Sequence, residues 1–206
     1  MNLKKQIEGR MIHGSSMKPV GLSKKKTLLV IDVDYRDHWR VEDMNNDLDR
    51  RRAADSIVKK VSWARENNLP IIFIMLEREQ MTQVSKGSRC IGCDRENKLP
   101  DFLEHKHAPF FEPVFVKTLN NAFSNPNLAK YLNKIGAMEL LLVGYNTFAC
   151  VADTAKGAIR AGFDVNLLED AVYPSFKYEK DKTDWLELVS KSIPSGSRQN
   201  VAIIKS

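Results

Sequence analysis

The chain has 206 residues, 43% of them hydrophobic and 28% charged, long enough to bury a core unaided and without the bias of a disordered or fibrous protein. Its net charge of +6 suggests nucleic acid until it is located: residues 1–26 hold seven Lys/Arg against one acid, Glu8, and the remainder is balanced. Three cysteines exclude a disulfide framework, and no stretch approaches the ~20 apolar residues of a membrane span.

Residues 1–26 read as a basic, flexible arm that contains no secretory h-region. Such an arm is able to bind a polyanion, although nothing in its sequence demands one. The chain reads as cytoplasmic. Thr27–Val33 is the first buried strand of a domain spanning 27–206, and Asn46 to Asn67 is a helix with Ala53, Ile57, Val58, Val61 and Ala64 as its apolar stripe. Pro70–Met75 is the second strand. Residues 77–112, charged and punctuated by Gly87, Gly92 and Pro100, form a lid or long loop.

Val114–Lys117 is the third strand and Asn127–Ile135 a helix closed by Gly136. Glu139–Val143, Val165–Leu168 and Val201–Lys205 complete six strands, with helices at 150–161 and 181–191 between them. Buried apolar strands alternating with amphipathic helices predict an α/β domain: a doubly wound, mainly parallel six-stranded sheet with helices on both faces. Ligands in such sheets bind outside the carboxyl ends of the strands. Asp32, Lys117 and the turn before Cys150 all fall there.

Cys150 opens a helical pattern, where the helix dipole and unpaired backbone N–H groups favour a thiolate and are able to hold an oxyanion. Asp32 supplies a base at the end of an apolar strand. Lys117 supplies a half-buried cation that keeps Asp32 from being an unpaired charge and favours the thiolate. Each residue alone has an ordinary structural explanation: a turn cap, a strand-end lysine, a small buried hydrophobe. Their joint placement at three strand ends points to nucleophilic catalysis.

Three segments together resemble the isochorismatase-like cysteine hydrolases, a Rossmann-like superfamily that includes nicotinamidases and N-carbamoylsarcosine amidase. They are TLLVIDVDYRD (27–37), VFVKTLNNAF (114–123) and LLVGYNTFACVADTAKGAIRAGFDVNLLEDAV (141–172). The resemblance implies Asp32, Lys117 and Cys150 as the catalytic triad and a cis peptide at Tyr145–Asn146. It also implies an oxyanion hole from the N–H groups of Asn146 and Cys150. The expected chemistry is cleavage of a C–N bond in a small amide or ureide through a Cys150 thioester, without a catalytic cofactor, in a homo-oligomer. Phe123 of the Ala122-Phe123 pair, and Trp39, are candidates for an apolar substrate wall. Asp34 stands where the family often has Gln, adding negative charge near the site.

The segment MLEREQMTQ after the second strand lacks the histidine with which nicotinamidases bind a metal, so the resemblance implies a substrate other than nicotinamide. Isochorismatases proper cleave an ether and lack the nucleophilic cysteine, which Cys150 argues against. In the lid, Cys90, Cys93, His105 and His107 are candidate ligands for a structural zinc, with unrelated surface residues or a Cys90–Cys93 redox pair as alternatives. The competing functional reading is a non-catalytic family member that acts as a binding module through its basic arm.

Overall fold

The computed structural model describes residues 25–33, 46–76 and 112–205. Its elements in chain order are β1 (Lys26–Ile31), α1 (Leu48–Glu66), β2 (Ile71–Leu76), β3 (Val114–Lys117), a 3-10 turn (Ala122–Ser124) and α2 (Pro126–Lys134). Then come β4 (Glu139–Tyr145), a π-helical turn (Thr147–Val151), α3 (Ala152–Arg160), β5 (Asp164–Tyr173), α4 (Glu179–Ser190) and β6 (Val201–Ile204). The strands form one sheet in the order β3-β2-β1-β4-β5-β6, and every pairing is parallel. The expected doubly wound α/β sheet is therefore present.

The continuous apolar runs are explained by burial on both faces of the sheet. Leu29 and Ile31 of β1, Ile72 and Ile74 of β2, and Leu140 and Leu142 of β4 join one core with α2, α3 and α4. Their sequence neighbours Leu28, Val30, Ile71, Phe73, Leu141 and Val143 join a second core beneath Ala53, Ile57 and Val61 of α1. The chain steps outward from β1 to β3, then returns to lay β4 beside β1. That reversal makes the β1/β4 boundary the switch point at which α/β sheets bind ligands.

Several boundaries differ from the sequence reading. Lys26, placed in the arm, is the first residue of β1 and pairs with Glu139 at 3.4 Å. The last strand but one was expected to stop at Leu168, yet β5 runs to Tyr173. The cause is a bulge: between the pairs Leu142↔Leu167 and Gly144↔Val172, β4 advances two residues and β5 five. The bulge carries Glu169 and Asp170, which meet Lys182 at 2.7 Å and Lys60 at 3.4 Å. Two acids in an apolar run look like a strand end when they are a strand detour.

Two local features fix the carboxyl edge. Gly144 has φ +120, and a Cβ there would lie 2.1 Å from the Ile31 carbonyl oxygen, so only glycine lets β4 pass β1 where Asp32 leaves it. At the start of α1, Asp47 caps the helix by accepting from Arg50 N at 3.0 Å and also accepts from the Tyr173 hydroxyl at 2.6 Å. Those bonds, the tyrosine's first, hold the Asp47 carboxyl below its ordinary range. Asp49 accepts from Ser175 N at 3.0 Å. The first turn of α1 thus anchors the chain leaving β5.

Replacing Gly144 with Ala is expected to cost about 2–4 kcal/mol, since it adds steric overlap to a positive φ; urea unfolding measures it. Asp47→Ala is expected to cost about 1–2 kcal/mol through the lost cap. A carboxyl held low contributes stability above its unfolded pKa and loses it as pH falls. The stability gap between wild type and Asp47→Ala should therefore narrow as pH drops through the carboxylate range, and a gap independent of pH would contradict this.

Candidate active site

The carboxyl edge places Asp32 just after β1, in the left-handed region with φ 51, its N–H bonded to the Ile74 carbonyl of β2 at 2.9 Å. Lys117 ends β3, two strands away. Strands lie ~4.8 Å apart, so a side chain from β3 must cross the end of β2 to reach Asp32, and the long lysine stem does so. Its Nζ stands 2.7 Å from Asp32 Oδ2, with the two side chains 0% and 6% exposed. A second acceptor, the Asn120 carbonyl, lies 2.7 Å from the same nitrogen.

Cys150 comes from the turn after β4 and is buried. The sequence reading put it at a helix start; the structure puts it inside the π-helical turn that precedes α3. Asn146 organises this turn. Its side chain accepts from Phe148 N at 3.0 Å, and its carbonyl accepts from Ala149 N and from Val151 N, each at 3.0 Å. The widened i→i+5 step to Val151 passes over the Cys150 N–H, which is not among the donors to Asn146. Turns of this kind are frequent at functional sites. The Tyr145–Asn146 peptide bond is cis, as the resemblance implied.

The turn is held from outside as well. Thr147 Oγ1 donates to the carbonyl of Pro174 at 2.6 Å, and the Trp185 indole of α4 donates to the Thr147 carbonyl at 2.9 Å. Tyr145 stacks on Tyr173 with ring centroids 5.8 Å apart. On the other side, Thr154 of α3 accepts from Ala122 N at 3.0 Å, and Gly157 leaves room for the Asn121 side chain, which a Cβ would meet at 2.3 Å. Those contacts seat the loop after Lys117 against the helix after Cys150. The three residues from three strand ends converge as expected.

Their electrostatics differ from expectation in one respect. The sequence reading has a thiolate stabilised by the helix start, whereas the Cys150 thiol is pushed up to about 11. Burial is the main cause and the neighbouring Asp32 carboxylate the second; Lys117 pulls the other way and does not prevail. At rest Cys150 carries a protonated thiol in hydrogen-bonding reach of Asp32 and Lys117.

Of the proposed apolar wall, Phe123 has its described ring contact with Phe163, 5.9 Å between centroids, where it packs against the core. Asp34, Trp39, Cys90, Cys93, His105 and His107 lie outside the described residues, as do residues 1–24 of the arm and nearly all of the lid. Among the described residues, no group of three His, Cys, Asp or Glu side chains is arranged to hold a metal, and no helix is long and apolar enough to cross a membrane. Sequence reasoning missed Asn120, whose side-chain Oδ1 lies 3.5 Å from Cys150 Sγ. The Asn120-Asn121 pair following a strand marked a turn, but not which way its amides point.

Comparison with known proteins bears on the family and the fold. The family model described as the isochorismatase domain matches residues 26–190. The chain is 24% identical over 157 residues to an uncharacterised isochorismatase family protein of Bacillus subtilis, spanning 75% of this chain and 81% of that protein. It is 39% identical over 75 residues to a secreted isochorismatase effector of Verticillium dahliae, a stretch covering 36% of this chain and 40% of that protein. Among solved structures, N-carbamoylsarcosine amidase from Thermoplasma acidophilum superposes with a TM-score of 0.65 at 16% identity, over 88% of this chain and 96% of that one. A nicotinamidase/pyrazinamidase from Bacillus subtilis gives 0.63 at 25% identity, over 86% and 99%. With four-fifths of its length matched by the family model and its fold shared with these enzymes, the chain belongs to the isochorismatase family.

Proposed function

We propose that this isochorismatase-family hydrolase is an amidase-type enzyme that cleaves a C–N bond in a small amide, ureide or related substrate through a Cys150 thioester. The observation that carries the reading is the buried Lys117–Asp32 pair at 2.7 Å beside the Cys150 thiol. Amidase names among its structural relatives support it.

In the first half-reaction Asp32 takes the S–H proton as sulfur bonds to the substrate carbonyl carbon. The oxygen that becomes negative is received by backbone N–H groups, for which Asn146 and Cys150 are the candidates. Asp32 then returns the proton to the departing nitrogen, the C–N bond breaks, and an amine or ammonia leaves behind a thioester. In the second half, water attacks the thioester carbonyl and gives a proton to Asp32. Collapse breaks the C–S bond, the sulfur regains the proton, and a carboxylic acid is released. The Lys117 cation balances whichever of Asp32 and Cys150 carries the negative charge. Every proton and charge is handled by these residues, so the reading routes no step through a metal.

A panel of small amides and ureides, followed by ammonia or amine release, tests the activity. Turnover by wild type and none by Cys150→Ala is expected. Equal turnover by both would sink the thioester route. Because the resting thiol is held protonated, Cys150 alkylation by iodoacetamide should keep rising through pH 8–10 rather than level off near neutrality. Asp32→Asn removes a charge that raises the thiol's pKa, so it should move this profile to lower pH while kcat falls about 10²–10⁴-fold with loss of the base. A profile moved upward would contradict the assigned electrostatics.

Lys117→Met should abolish turnover and destabilise the fold by about 3–5 kcal/mol, because it leaves Asp32 buried without its cation. Adding Asp32→Asn should then cost less than it does in wild type, a coupling that a double-mutant cycle in urea reads directly.

A further inference from the structure

Residue 120 touches two members of the triad through different atoms. Its backbone carbonyl accepts from Lys117 Nζ at 2.7 Å and lies 3.5 Å from Thr154 Oγ1, so the residue is pinned between β3 and α3 whatever its side chain. Its side-chain Oδ1 accepts from the Cys150 thiol at 3.5 Å. Asn120 is itself exposed, whereas Cys150 is only 8% exposed. The amide therefore stands on the solvent side of the sulfur, with Asp32 and Lys117 as the charged groups that face the same thiol.

A carboxamide is a particular choice for that place. Its oxygen only accepts and its nitrogen only donates, yet the two ends have nearly the same shape, and a half-turn about the last side-chain bond exchanges them. A thiol needs an acceptor for its S–H; a thiolate needs a donor. Asp32 changes charge with the sulfur: as a carboxylate it accepts from the thiol, and once protonated it donates to the thiolate only until it passes that proton to the leaving nitrogen. Lys117 donates in both. Asn120 is the one described neutral side chain bonded to the sulfur that is able to match either form.

We propose that Asn120 is a positioning residue for the nucleophile, holding the Cys150 thiol through Oδ1 at rest and, with its amide turned over, donating Nδ2–H to the thiolate as Asp32 takes the proton. The inference rests on Cys150 being the nucleophile. No bond is made or broken at Asn120: one S–H···O hydrogen bond is exchanged for one N–H···S⁻ hydrogen bond. Being neutral, the amide stabilises the thiolate without adding charge to a site in which Asp32 and Lys117 already cancel.

The test is the pH profile of Cys150 alkylation by iodoacetamide, located by peptide mapping, in wild type, Asn120→Leu, Asn120→Asp and Asp32→Asn. Leu keeps roughly the size of Asn and still shields the sulfur, but has no donor. Asp keeps the shape, offers acceptors only and adds a carboxylate that itself raises the thiol, so its upward shift should exceed that of Leu. All variants retain the residue 120 carbonyl that holds Lys117. Both Asn120 variants are expected to react at least ~10-fold more slowly at pH 8 and to shift the profile upward by at least about one pH unit, since a hydrogen bond to a charged group is lost. In turnover, kcat should fall by a similar factor with KM less affected.

If Asn120→Leu reproduces the wild-type profile, the amide is only a plug and the proposal fails, while a shifted Asp32→Asn profile leaves the catalytic reading standing. If neither Asp32→Asn nor the Asn120 variants move the profile, or if Cys150 is not the residue labelled, the catalytic reading fails and this one with it. Should Asn120→Leu not fold, Asn120→Asp decides: wild-type reactivity in that variant overturns the proposal.

Discussion

The carboxyl edge of the sheet is arranged around one ion pair, Lys117 with Asp32. Both groups are nearly sealed from water, and desolvating two such charges costs more than their attraction readily returns. An apolar pair of similar volume would serve stability at least as well. The pair persists because its surroundings hold both groups in place. The lysine stem is held along the end of β2, the Asn120 carbonyl takes a second ammonium proton, and the Ile74 carbonyl fixes the Asp32 backbone. Gly144 lets β4 come close enough to close the site from the other side. A costly interaction enforced by the fold around it is what a reactive centre requires.

The turn that carries Cys150 is held with comparable redundancy, mostly by neutral groups. Asn146 ties the π-helical turn together from within. From outside, α4 reaches it through Trp185 and the segment after β5 through the Pro174 carbonyl, while the Asp47 cap of α1 supports the adjoining Tyr145 through the Asp47–Tyr173 bond and the Tyr173–Tyr145 stack. Elements on both faces of the sheet therefore converge on residues 145–151. Sub-ångström placement of a nucleophile depends on supporting contacts of this kind, and a substitution in α1 or α4 reaches Cys150 without touching the substrate.

What the sequence made legible follows from the physics of parallel sheets. Strands buried on both faces read as unbroken apolar runs, so β1, β2 and β4 are visible without any tertiary information. A strand end in such a sheet is the natural place for a polar functional group, which is why Asp32 and Lys117 stand out. The β5 boundary was illegible because Glu169 and Asp170 sit in a bulge whose cost is offset by Lys182 and Lys60, one on α4 and one on α1. Small residues around Cys150 announce a helix but do not distinguish an i→i+4 from an i→i+5 turn. The state of the thiol was misread for a similar reason: a helix start is local, whereas burial and the Asp32 carboxylate come from the fold. The direction of the Asn120 side chain likewise depends on its bond to Cys150, which the VFVKTLNNAF motif does not contain.

That the thiol is held protonated is consistent with the proposed catalysis once Asp32, Lys117 and Cys150 are treated as a unit. At rest the charges are a carboxylate, an ammonium and a neutral thiol; after proton transfer they are a neutral carboxyl, the same ammonium and a thiolate. The net charge is unchanged, so the buried site is not asked to accommodate a new ion. The influence of Asp32 that raises the thiol's pKa disappears with the very proton it accepts, while the attraction of Lys117 for the sulfur remains. In the proposed mechanism a negative charge moves between two seats around one cation, and it reaches sulfur usefully only when a carbonyl carbon is there to be attacked. Until then the sulfur stays a thiol, the form less open to adventitious oxidation and alkylation.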